Sequence, residues 1–148
     1  MKESINKIFN HLKVHTQYSI CEGAIKIDQL KDFCKINKIK SLGLSDTYNL
    51  SGSLEFSENL SSSGTQPIIG TQILFKYKNF TGFIPLIAKN KDGYKNIIEL
   101  SSKSYLENSE ITDPHCNFDD LLNKSSGIIV LSGSIRCLMG TLFNKGLF

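Results

Sequence analysis

Proline is scarce in this chain of 148 residues: three stand against 11 glycines. That excludes collagen-like and proline-rich low-complexity chains. Charge of one sign is also in short supply. The 17 Lys and Arg oppose 14 Asp and Glu, a net of +3. This is too mild for the one-sided cationic face of a domain held to nucleic acid through phosphates. The densest basic stretch, Lys31 to Lys40, reads as a solvated helix end. No apolar run approaches the roughly 18 residues that span a bilayer. The N-terminus, Met1-Lys2-Glu3-Ser4-Ile5, is polar and lacks a signal-peptide core. Membrane and secreted classes gain no support, so the expected compartment is the cytoplasm.

The four cysteines, Cys21, Cys34, Cys116 and Cys137, form no C-x-x-C pair. A zinc knuckle or thioredoxin-like site therefore has no support, and free thiols are expected. Cys34 and Cys137 fall at apolar positions and are expected in the core. Phosphate-loop, dinucleotide-binding and nucleophile-elbow signatures are missing as well.

What is present is an alternation of short apolar runs with helical periodicity. Strands are expected at 10–15, 41–45, 67–77, 80–88 and 128–131. Helices are expected at 25–36, 52–60, 93–107, 118–123 and 134–143. Ile27, Leu30 and Cys34 share one face of the first helix, and Ser61-Ser62-Ser63-Gly64 ends the second. Lys78-Asn79 reads as a turn. Pro85 demotes the fourth strand, since proline cannot donate to a ladder. Asp92 is the expected N-cap of the third helix, with Tyr94, Ile97, Ile98, Ser101 and Tyr105 as its buried stripe. The polar stretch 108–117 reads as a loop. Ile128-Ile129-Val130-Leu131 fits a strand covered on both faces. The sum is a single α/β unit with mainly parallel strands. About five strands are visible, against about eight in a closed α/β barrel. The chain is either a small open sheet or the first part of a barrel whose open edge invites association.

Three polar clusters follow expected strands, where α/β proteins place their sites. The first is His11-Leu12-Lys13-Val14-His15-Thr16-Gln17-Tyr18-Ser19 followed by Glu22-Gly23, in which His11, Lys13 and His15 project together from one strand face. Leu44-Ser45-Asp46-Thr47-Tyr48-Asn49-Leu50-Ser51-Gly52 is the second cluster, in which Asp46 or Ser51 could instead cap the next helix. Pro67-Ile68-Ile69-Gly70-Thr71-Gln72 is the third, where Gly70 marks a close approach or a bulge.

In collinear order, HLKVHTQYSICEGA, LGLSDTYNLSGSLEF, QPIIGTQILF, PLIAKNKDGYKNIIELSSKSYLE and GIIVLSGS resemble the N-terminal PHP domain of bacterial DNA polymerase III alpha subunits. The resemblance runs from about Asn10 to about Asn144. It implies the first part of a distorted, TIM-like barrel of parallel strands, a partial PHP domain over residues 1–148. The polymerase palm, fingers and DNA-binding regions would lie beyond Phe148, together with the Mg-dependent polymerase site.

Metal-binding members of that family hold a cluster of metal ions, and the resemblance assigns positions here. His15, Glu22 and Asp46 match ligand positions. Lys13, Thr47, Gln72, Phe83 and Ser134 stand where other ligands would be. An ammonium has no lone pair for a metal, and three ligands are few for a polynuclear site. The implied site is vestigial, with no cofactor and no catalysis in this piece, and Lys13 is expected to neutralise Glu22 and Asp46. The implied function is a structural and interaction module of a replicative DNA polymerase. Its implied partners are a proofreading exonuclease subunit and other holoenzyme subunits, with DNA reached through the missing regions. The alternative is a metal-dependent phosphoesterase of the PHP superfamily, similar to histidinol phosphatase.

Overall fold

The computed structural model describes residues 9–107 and 113–147. Helix α1 (Ile27–Ile36) forms on the stripe Ile27, Leu30 and Cys34, all buried. It packs against α2 (Ser53–Ser62), whose Phe56 and Leu60 are fully buried. Beside them β1 (Ser41–Gly43) pairs in parallel with β3 (Gln66–Ile68). Leu42 and Leu44 join these helices in a first core.

The second body is a five-stranded sheet. Strands β2 (Asp46–Thr47), β4 (Gly70–Tyr77), β5 (Phe80–Ala88) and β7 (Ile128–Val130) lie in that order, and β6 (His115–Asn117) shares the β4 edge with β2. Asp46 and Thr47 face Thr71 and Gln72, and His115 to Asn117 face Leu74 to Lys76. Helices α3 (Lys91–Leu106), α4 (Phe118–Asn123) and α5 (Leu138–Asn144) complete it. Ile73, Phe75, Ile84, Leu86, Ile97, Leu100, Cys116, Leu121 and Leu138 form the second core.

The α/β class holds, but the sheet is mixed rather than mainly parallel. β4 and β5 run antiparallel from Gly70↔Ile87 to Tyr77↔Phe80. The Lys78-Asn79 connection is too short for the crossover that parallel pairing needs. β7 also joins β5 antiparallel. No sheet among the described residues closes on itself.

The expected strand at 10–15 is reduced to the bridge Val14↔Leu44. Its ladder stops because the Thr16 amide turns to the Asp46 carboxylate instead of a backbone carbonyl. The expected strand 67–77 is two strands. Around Ile69 the chain changes partners: the Leu44 amide donates to Ile68 O and the Ala88 amide to Ile69 O. Pro85 sits inside the sheet after all. It lies one position beyond the last β5–β7 pair, Leu86↔Val130, where its carbonyl accepts from the Leu131 amide and the return N–H is lacking, so the β5–β7 ladder ends there.

Asn90, not Asp92, caps α3, its side chain accepting from the Gly93 amide. The buried stripe is Gly93, Ile97, Leu100 and Ser104, whereas Ile98 and Tyr105 are exposed. Gly93 sets that rotation by lying on the Gly127 backbone. The expected loop 108–117 ends in β6, which a His-Cys-Asn sequence does not announce, while 108–112 lie outside the described residues. β7 is not covered on both faces: Ile129 and Val130 are each 46% exposed. The final helix starts at Leu138 rather than Ser134, since Ser134 to Arg136 form a turn that brings Cys137 to Phe83. Cys34 and Cys137 are buried as expected, Cys116 is buried too, and all four thiols are free.

Candidate functional site

The three polar clusters converge because their backbones are neighbours. Val14 lies beside Leu44, and Asp46 beside Thr71. Beyond Val14 the chain coils back on itself through Ser19 and Gly23, and the Gln17 amide reaches Ile25 O. Gly23 makes the closure possible, since a Cβ there would lie 2.0 Å from Thr16 O.

Asp46 is fully buried at the centre. Its Oδ1 accepts from the Thr16 amide at 2.6 Å and the Ser19 hydroxyl at 2.7 Å. Its Oδ2 accepts from the Thr16 hydroxyl at 2.7 Å. Ser19 Oγ in turn accepts from the Thr47 amide at 3.1 Å. A second relay runs beside the first. Gln72 Nε2 donates to Thr47 Oγ1 at 2.8 Å, and the Thr47 hydroxyl donates to Glu22. Each hydroxyl passes its proton toward a carboxylate, so both acids are met by hydrogen bonds without a cation.

His15 Nδ1 lies 3.3 Å from Ser19 Oγ and 3.8 Å from Glu22. The Ser19 proton is already committed to Asp46, so Nδ1 carries the hydrogen and donates to Ser19. Burial lowers the His15 pKa, and Lys13 adds to that, against the opposing pull of Glu22 and Asp46. The Glu22 contact is therefore not an ion pair at neutral pH. A depressed histidine pKa means the unfolded chain binds the proton first. The contribution of His15 to stability is thus complete above 6.5 and is lost as pH falls below that value. Thermal melts across this range should show a fall in stability toward acid that His15→Gln makes shallower. An unchanged slope would contradict the assignment.

Lys13 does not neutralise Asp46 and Glu22 as expected. It is exposed, and among the described residues it makes no ion pair. Hydroxyls occupy the Asp46 oxygens in its place. His15, Glu22, Asp46, Thr47 and Gln72 come together. Phe83 makes no hydrogen bond to this group and lies edge-on to Tyr48 at 5.3 Å, across the neighbouring cavity. Ser134 is exposed and bonded within its own turn. Thr16 and Ser19 lie within the first polar cluster, but the sequence assigned them no role there; as hydroxyls at the spacing of a turn after His15 they were its only signal.

Next to the relay opens a cavity of about 370 Å³ lined by Glu22, Thr47, Tyr48, Phe83, Tyr105 and Asp113, among others. Burial pushes the Tyr48 phenol up to about 12, with Asp113, Tyr105 and Glu22 adding to the effect.

Residues 11–146 match the PHP domain family. The chain is 35% identical, over 99% of its length, to the DNA polymerase III subunit alpha of Caulobacter vibrioides. It is 37% identical over 83% to that of Rickettsia felis, and 36% identical over 95% to that of Helicobacter pylori. It spans only 14%, 10% and 12% of those relatives' lengths. Among solved structures, an amidohydrolase from Chromobacterium violaceum superposes with a TM-score of 0.49 at 16% identity, covering 62% of this chain and 32% of that one. No functional reading rests on so distant a likeness.

Proposed function

The chain belongs to the PHP domain family, and on that premise we propose that it is the N-terminal PHP piece of a bacterial DNA polymerase III alpha subunit. It acts there as a structural and interaction module of the replicative polymerase, without a hydrolytic metal cluster of its own. Its two sheets belong to the first part of a distorted barrel that further strands complete. Nucleotidyl transfer, its Mg²⁺ and the DNA contacts belong to the rest of the subunit, and the proofreading exonuclease is among the partners held. The setting that goes with a replicative alpha subunit is the cytoplasm.

The observation that carries this reading is the way the cleft acids are satisfied. A polynuclear hydrolytic centre needs carboxylates and imidazoles with lone pairs directed at shared cations. Here Asp46 spends both oxygens on Thr16 and Ser19, and Glu22 accepts a hydrogen bond from the Thr47 hydroxyl. Gln72 turns an N–H toward the cleft residue Thr47, and Phe83 offers no donor atom. The residues present do not fit a metal cluster. Similarity to alpha subunits over 83–99% of the chain supplies the polymerase context.

The test is turnover of p-nitrophenyl phosphate by the purified chain with Mn²⁺. The expected result is no hydrolysis above the level of a His15→Ala control. Metal-dependent hydrolysis that His15→Ala abolishes would overturn the reading in favour of a phosphoesterase.

A further inference from the structure

The cavity beside the hydroxyl relay has an unusual lining for a chain of net positive charge. Two carboxylates, Glu22 and Asp113, share it with three aromatic rings, Tyr48, Phe83 and Tyr105, and among the described residues no Lys or Arg lines it. Tyr48 and Phe83 meet edge-to-face at 5.3 Å, which fixes the two rings relative to each other. The exposed side chains of Ile20 and Tyr105, 85% and 53% accessible, form an apolar rim.

The backbone around the cavity is held in conformations that side chains rarely adopt. Tyr48 has φ 66° and Cys21, beside Glu22, has φ 64°. Such residues persist only where their surroundings hold them. Here the Tyr48 amide is tied to Gln72 O at 2.9 Å, and the Asn49 side chain bonds both Tyr18 O and Thr47 O. The rings and acids are therefore presented by a braced wall.

Acids and aromatic faces together select a cation. Ring quadrupoles attract positive charge, and the attraction grows where water is displaced. Carboxylates repel phosphate-bearing ligands. Between the two cationic side chains the geometry favours arginine. Its flat guanidinium stacks on a ring while its N–H fork reaches carboxylates, whereas a lysine ammonium is a strongly hydrated point charge. Its aliphatic stem suits a rim such as Ile20. We propose that this cavity receives an arginine side chain of a partner protein, seated among Tyr48, Phe83 and Tyr105 and paired with Glu22 and Asp113. The inference rests on the reading of the cleft as an interaction site without a metal cluster, and it gives that site the chemistry of its partner.

The experiment is an NMR titration of the chain with the peptide Gly-Arg-Gly. Saturable shifts confined to residues around Ile20 to Glu22, Thr47 to Asn49 and Tyr105 are expected. Removing both charges with Glu22→Gln and Asp113→Asn should weaken binding about tenfold, and both residues are exposed, so the fold should persist. A Gly-citrulline-Gly control should not bind. Lack of saturation by the arginine peptide, equal affinity for Gly-Lys-Gly, or affinity unchanged in the double variant would overturn the proposal. Mn²⁺ added to the same sample keeps the two readings apart. Broadening confined to His15 and Asp46 would count against the metal-free cleft, whereas failure of the peptide alone would count only against the arginine site.

Discussion

Replacing Asp46 with alanine is expected to destabilise the chain by about 3–5 kcal/mol, with no metal present or added. The magnitude follows from the donors left behind. The Thr16 amide, the Thr16 hydroxyl and the Ser19 hydroxyl all point at this carboxylate from buried positions. Each stranded donor costs about 1–3 kcal/mol. The loss also spreads, because Ser19 orders the Thr47 amide. Asp46→Asn should be milder, since its carbonyl can keep the two bonds at Oδ1. Urea denaturation of both variants checks this. A carboxylate poised for a missing cation behaves in the opposite way, because removing it relieves a buried, unpaired charge and stabilises the metal-free chain. A neutral or stabilising Asp46→Ala would therefore contradict the relay.

Gly93→Ala is expected to cost about 3 kcal/mol or more. A Cβ at this position would lie 1.8 Å from Gly127 O and 2.4 Å from Gly127 C. Both atoms are backbone, so no rotamer change relieves the clash. α3 must lift from the strand connection, and with it Ile97 and Leu100 leave the second core. The strain extends to the N-cap, because Asn90 also packs against Gly127. Thermal unfolding of Gly93→Ala beside Ser102→Ala, an exposed position on the same helix, separates this contact from helix propensity. Similar melting points for the two would sink the argument.

The parts of the fold legible in the sequence are those where one element decides its own burial. The stripe Ile27, Leu30, Cys34 is visible as spacing and is buried as spacing dictates. The parts that were not legible depend on a distant neighbour. The stripe of α3 is rotated because of Gly127, which lies far along the chain from Gly93. β6 exists because the β4 edge beyond β2 offers backbone groups to His115–Asn117, not because those residues favour a strand. The expected cover on β7 depended on what packs against it, which an apolar run does not encode. At the site, Asp46 and Glu22 were visible as acids after strands. Their partners were not, because Thr16 and Ser19 reach Asp46 only once Val14 lies beside Leu44.

The most direct measurement is the melting temperature of the chain in chelator and again in excess Mn²⁺. A cluster bound to the folded state would raise it through mass action. A cleft whose acids are satisfied by Thr16, Ser19 and Thr47 should show the same melting temperature in both. A clear rise with Mn²⁺ that Asp46→Asn abolishes would contradict the account.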